Sequence, residues 1–366
     1  MRAVEAYAPG KAVLIGEYAV TRGARALALA LDRQARVRLT PCAADECSLS
    51  GRPLCSETLA FRLEPEGRLS WDRSSSAWAE LQRTATLLSH LHKLAWQRFG
   101  DPGPYRVEID TTALFLDTDQ ASVKLGLGSS SAVAVALDAA LRCLFGGRQQ
   151  SGLSMQALSR LLAPYRREQD GRGSGIDLAT ALCGGVISYQ RQHDEVRVNR
   201  VTLPPDLALL LVWTGRQAST SQLLAMFEAW LERDPDAASQ LLAEMRACCE
   251  EGESALERSD AEALVAQFAA YGRLMGTMGG LMGGEVVTPI MAELIEQADA
   301  RGIACKPSGA GGGDLALLAA SDPGHLAEMR DWLSQRGLFA FAPGMNDTGV
   351  VANWCEHDPS ESTWKK

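Results

Sequence analysis

Residues 123–141 read VKLGLGSSSAVAVALDAAL: two glycines, Gly126 and Gly128, then three serines, Ser129 to Ser131, and at once an alanine-rich apolar run. Glycine supplies backbone angles that turns require, and serine caps helices by accepting a bond from an orphan N–H of the first turn. A helix N-terminus also carries unpaired N–H groups and the positive end of a dipole, so a glycine-serine approach can seat a phosphate on the backbone itself. Both uses remain open on this stretch alone. The GxxxxGK[ST] pattern of the P-loop is absent from the chain.

The bulk properties narrow the setting. A chain of 366 residues has room for two domains and a sizeable core. With 46% hydrophobic and 22% charged residues it is far from the composition of disorder. Its formal net charge of −9 provides no basic footprint for nucleic acid, so an anionic substrate requires a locally positive site. The nine cysteines follow neither a disulfide framework nor zinc-ligand spacing. Residues 1–11 lack a signal-type apolar core, and no uninterrupted apolar run is long enough to span a bilayer. A cytoplasmic location with no membrane partner is expected.

Outward from the serine segment, VEAYAPGKAVLIGEYAV suggests two strands joined by a turn at Pro9-Gly10, with Lys11 at its tip. ALALALDRQARVRLTP continues as strand, residues 75–99 have helical spacing, and YRVEIDT is again strand-like. After the serine helix, MQALSRLLAPYRREQD is helical. A glycine-rich entry, a short helix and a strand follow in GRGSGIDLATALCGGVISYQ. The polar run at residues 191–200 marks a domain boundary, drawn between 198 and 199. Beyond it come a strand after Pro204-Pro205 and helices near 219–232, 235–258, 261–276, 288–301 and 325–336.

Three glycine-rich segments stand apart: APGK with GEYAV, KLGLGSSSAV, and KPSGAGGGDLALL. In this order they resemble the GHMP kinases, over essentially the whole chain. That resemblance implies an α+β fold of two domains: residues 1–198, like ribosomal S5 domain 2, with the ATP-binding loop, and residues 199–366, ferredoxin-like. VWTGRQASTSQLL at 212–224 resembles the corresponding segment of the phosphomevalonate kinase branch, and Tyr18 after Glu17 argues against a galactose substrate.

The resemblance implies ATP and Mg²⁺ as cofactors and a small-molecule acceptor. It puts the triphosphate on Lys124, Gly126, Gly128, Ser129, Ser130 and Ser131, closed over by Ser308, Gly309, Ala310 and Gly311. Ser130 is the candidate Mg²⁺ ligand, and Lys124 is equally readable as a solvated strand-end lysine. Lys11 is expected at the transferring phosphoryl group and Asp177 beside the acceptor. Arg216, with Ser219 and Thr220, is the candidate acceptor-phosphate site. Glu17 is read as a structural residue of the first segment or an aid to metal or nucleotide, and Asp314 as a cap or a catalytic acid. The methionines between Met275 and Met282 read by composition as core filler. The expected activity is ATP-dependent phosphorylation of 5-phosphomevalonate, with mevalonate kinase and a nucleotide sensor without turnover as alternatives. A third serine at Ser131 and Arg172 depart from the common spellings of the family.

Overall fold

The computed structural model describes residues 2–118, 122–152, 154–168, 173–193 and 195–356. Arg172 lies outside them. Among the described residues two large sheets organise the chain. In the ten-stranded first sheet the order runs 68–71, 55–64, 48–52, 105–110, 26–41, 2–15, 351–356 and 150–151, while 186–192 pairs with both 195–201 and the start of the 26–41 strand. Helices Trp78–Phe99, Ser129–Gly146 and Ile176–Cys183 pack with this sheet around one apolar core. Ser129–Gly146 is apolar and long enough to cross a bilayer, yet most of it is buried in that core.

The second sheet is antiparallel, in the order Ala304–Ser308, Leu315–Ala320, Ala208–Trp213, Ala340–Phe341. Its central strands are buried on both faces, which explains the unbroken apolar spelling of LALLAA and LLLV. Leu210, Val212, Ala316 and Leu318 face helices Pro289–Asp299 and Pro323–Gln335. Leu211, Leu315 and Leu317 join the core shared with the first sheet and with helix Ala261–Met282. This is the period-two alternation of a strand between two layers. The α+β architecture expected of the chain is present.

Three local expectations change. Pro9-Gly10 is not a hairpin turn: Arg2–Ile15 is one strand, whose register against the second strand slips from Pro9 opposite Gln34 to Lys11 opposite Ala30. Proline has no N–H for the ladder, so the pairing bulges there. Gly10 is needed for close approach, since a Cβ would stand 2.7 Å from Leu114 Cδ2 and 2.8 Å from the Leu127 carbonyl oxygen. Lys11 therefore sits within a sheet and not at a turn tip. The polar run at 191–200 is largely a hairpin: Glu195–Val201 pairs with Val186–Gln192 across the 198/199 position, and Val351–Glu356 returns from the second half to pair with Arg2–Tyr7. Finally, the helix expected to end near 276 runs on to Met282, while Met275, Met278 and Met282 are buried in it as core filler.

One buried group makes this core sensitive to pH. His92 Nδ1 lies 2.6 Å from the Tyr105 hydroxyl, with the Phe145 ring edge-on to the imidazole. Burial lowers the His92 pKa to about 4 from its ordinary 6.5. Between these values the unfolded chain binds a proton that the folded chain refuses, so stability falls as pH drops from about 6.5 to about 4. His92→Gln is expected to flatten that loss, on the order of 2–3 kcal/mol, in urea titrations at pH 7 and pH 4.5. An identical pH slope in the variant would contradict this assignment.

Candidate active site

The three glycine segments, far apart in sequence, meet at one cavity lined by Lys11, Glu17, Tyr18, Gly126, Asp177, Thr220, Ser308, Gly309, Ala310 and Asp314, among others. Backbone contacts hold them together. Lys11 N–H donates to the Leu127 carbonyl at 2.8 Å, joining the first segment to the second. Ser308 Oγ donates to the Val13 carbonyl at 3.1 Å, and the Tyr18 hydroxyl donates to the Ala310 carbonyl at 2.6 Å, joining the first to the third. Second and third abut so closely that a Cβ on Gly126 would lie 2.6 Å from Asp314 Cβ.

Beneath this junction lies a buried ion pair. Lys306 is fully buried, and its ammonium donates to Glu17 Oε1 at 2.5 Å and to the Pro307 carbonyl at 2.6 Å. Glu17 Oε1 also accepts from the Gly309 N–H at 3.3 Å, while the Tyr271 hydroxyl donates to the Glu17 carbonyl at 2.5 Å. Burial pulls the Lys306 pKa below its ordinary value, and the Glu17 carboxylate opposes that pull. Glu17 thus has its structural role, and the Gly309 N–H is already engaged instead of facing a phosphate. Glu17 Oε2 is buried without a hydrogen-bond partner among the described residues.

The serine helix starts at Ser129 with Gly128 in the left-handed region at φ 75°, and no side chain caps its first turn. Its leading N–H groups therefore have no capping side chain, as an anion site requires. Ser131 Oγ donates back to the Gly128 carbonyl at 2.7 Å, whereas Ser130 is exposed and lies 3.1 Å from the Tyr165 hydroxyl. Tyr165 in turn donates to Asp177 Oδ2 at 2.5 Å, and Leu178 N–H donates to Oδ1 at 3.0 Å. Burial, with the Asp177 carboxylate beside it, holds the Tyr165 hydroxyl well above the ordinary phenol range.

Asp314 occupies the left-handed region at φ 52° and accepts from Ala218 N–H at 3.2 Å. Burial raises its pKa, opposed by that hydrogen bond and by the charges of Lys11 and Lys124. Lys124 is lowered by burial and held up by Asp314, so it is not a plain solvated lysine. Thr220 reaches the cavity. Ser219 precedes its helix without making a side-chain cap. Arg216 is absent from the cavity lining: its Nε donates to the Gly312 carbonyl at 2.8 Å and its fork pairs with Glu285. That pair is half exposed and worth little.

Residues 86–185 match the GHMP kinases N terminal domain. The chain is also 29% identical to the phosphomevalonate kinase of Streptomyces sp. (strain CL190), over 92% of this chain and 96% of that one. Over residues 86–185 the chain is similar to the GHMP kinases. The chain is 28% identical to the mevalonate kinase of Pyrococcus horikoshii, over 89% of its own length and 90% of the relative's. In fold it resembles Streptococcus pneumoniae phosphomevalonate kinase, solved in complex with phosphomevalonate and AMPPNP, with a TM-score of 0.72, 20% identity, and coverage of 93% of this chain and 100% of that one.

The oxygen donors here would suit a magnesium ion delivered with a nucleotide. Among the described residues no three His, Cys, Asp or Glu side chains form a metal cage. Mg²⁺ delivered with phosphates needs only one or two protein oxygens and keeps its waters. Ser130 Oγ, Asp177 and the unpartnered Glu17 Oε2 are donors of that hard type. Motif spelling pointed to Lys11, Asp177 and the serine loop; it did not single out Lys306 or Tyr165, which lay inside quoted segments without a distinguishing neighbour.

Truncating Lys306 to Met leaves Glu17 as a buried uncompensated charge and is expected to cost about 3–5 kcal/mol in urea denaturation. Adding Glu17→Leu to Lys306→Met is expected to return part of that loss. A Lys306→Met cost below about 1 kcal/mol would show that the pair is not a buried strut.

Proposed function

We propose that this chain transfers the terminal phosphoryl group of ATP to 5-phosphomevalonate, giving the 5-diphosphate. The observation that carries the proposal is the placement of 212–224, the segment spelled like phosphomevalonate kinases, in the wall of the glycine-segment cavity. Ala218 N–H binds Asp314, and Thr220 and Leu224 line the space together with Lys11 and Asp177. The 29% relative supports the same substrate. Mevalonate as acceptor is the second reading, favoured by archaeal mevalonate kinases of similar identity.

The chemistry follows from charge. A phosphomonoester has a second pKa of about 6 and is mostly dianionic at pH 7, so its oxygen attacks the γ-phosphorus without surrendering a proton. The bond from that phosphorus to the bridging oxygen breaks, and ADP leaves with the electron pair. The protein must bring two anions together, which positioned cations and backbone dipoles achieve. In this scheme Lys11 neutralises the moving phosphoryl group, the serine-helix N–H groups and Lys124 hold the triphosphate, and Ser308 to Gly311 shape the wall above it. Asp177 orients Lys11 and the Mg²⁺, which supplies further charge neutralisation when bound. On a mevalonate acceptor the same carboxylate would instead take the hydroxyl proton. Ser219, Thr220 and a displaced Arg216 hold the acceptor phosphate. A cytoplasmic location completes the proposal.

Phosphoryl transfer from ATP to a panel of phosphomevalonate, mevalonate, homoserine and galactose tests the assignment. Phosphomevalonate is expected to lead in kcat/KM. Turnover of mevalonate with none of phosphomevalonate would transfer the assignment to the second reading. Lys11→Met and Asp177→Asn are each expected to lower kcat by about 100-fold or more with little change in the urea midpoint. A near-normal kcat in either variant would remove that residue from the mechanism.

A further inference from the structure

The Tyr165 hydroxyl lies between two groups that the proposed reaction uses, 2.5 Å from Asp177 Oδ2 and 3.1 Å from Ser130 Oγ. A phenol has one proton to donate, and a carboxylate only accepts. The Tyr165 proton therefore goes to Asp177, and the contact to Ser130 can be made only if Ser130 donates its own proton to the Tyr165 oxygen. Ser130 Oγ then has no proton left for a phosphate oxygen and presents lone pairs alone. Its neighbour Ser131 has also committed its proton, to the Gly128 carbonyl. Of these groups, the uncapped backbone N–H groups of the first helical turn remain as donors to an anion.

We propose that Tyr165 is a positioning residue that fixes the direction of the Ser130 hydroxyl, so that the backbone of the serine helix holds the nucleotide's phosphates and Ser130 Oγ is reserved for the divalent cation that travels with them. This inference rests on the reading of the serine helix as the phosphate site. Tyr165 is a buried residue of helix Met155–Glu168, whereas Ser130 is exposed and Asp177 lines the cavity. The ring thus anchors the hydroxyl from beneath the site. Removing the hydroxyl would free the Ser130 rotor to turn its proton toward phosphate, which helps a metal-free nucleotide or leaves it unchanged and weakens the metal-bound one.

Binding of AMPPNP measured by calorimetry, once with Mg²⁺ and once with EDTA, separates these effects without turnover. In the wild-type protein Mg²⁺ is expected to tighten binding. In Tyr165→Phe that enhancement is expected to fall about tenfold, with the metal-free Kd held within about twofold. Ser130→Ala, an exposed change that spares the core, is expected to lose the enhancement to a similar degree, and Tyr165→Phe on top of Ser130→Ala should cost nothing more. Undiminished Mg²⁺ enhancement in either single variant, or a further loss in the double variant, would overturn the inference. A wild-type protein that binds no AMPPNP would overturn the phosphate-site reading itself and the inference with it.

Discussion

The arrangement depends on one buried ion pair, because Lys306 and Glu17 tie the strand that leads into the third glycine segment to the loop that leaves the first. Neither charge could stay in the core without the other, since unpaired burial of an ammonium or carboxylate is far costlier than the pair. The Glu17 oxygen that holds Lys306 also receives the Gly309 N–H, so the charge pair fixes a backbone position next to the cavity. Tyr18 and Tyr271 brace the same junction through the Ala310 and Glu17 carbonyls. Because the first segment is part of one sheet and the third leaves the other, this cluster brings the two halves of the chain to a common cavity.

Charge around the cavity follows a consistent pattern. Asp314 and Lys124 are each disfavoured as ions by burial and each supported by the other. The chain carries a net charge of −9, yet Lys11 and Lys124 act on the same Asp314. The Tyr165 hydroxyl links Asp177 to Ser130 beside this cavity.

Much of the fold was legible because its cues are local. The helices after Ser219, Pro235 and Ala261, and the strand around YRVEIDT, follow from apolar spacing and from flanking glycine, proline and capping residues. Pro9-Gly10 misled because the dipeptide that marks a turn also marks a bulge, and only the second strand and Leu127, distant in sequence, decide between them. The polar run at 191–200 misled for a similar reason: an edge hairpin with a solvated face has the composition of a linker. In the site, Lys11, Asp177 and the serine loop were visible as motifs. Arg216 was read as an acceptor-phosphate cation beside Ser219 and Thr220, and its engagement with Glu285 depends on a residue 69 positions away. Lys306 and Tyr165 owe their roles to partners 289 and 35 residues distant, which spacing cannot reveal.

The central claim is that three separated glycine segments form a single phosphate cradle. Hydrogen–deuterium exchange of the wild-type protein with and without Mg²⁺-AMPPNP tests it most directly. The account predicts that nucleotide slows exchange together in peptides covering Lys11–Tyr18, Gly126–Ala132 and Ser308–Asp314, with the outer strands at 48–71 unaffected. Protection confined to one of the three segments, or found away from all of them, would contradict it.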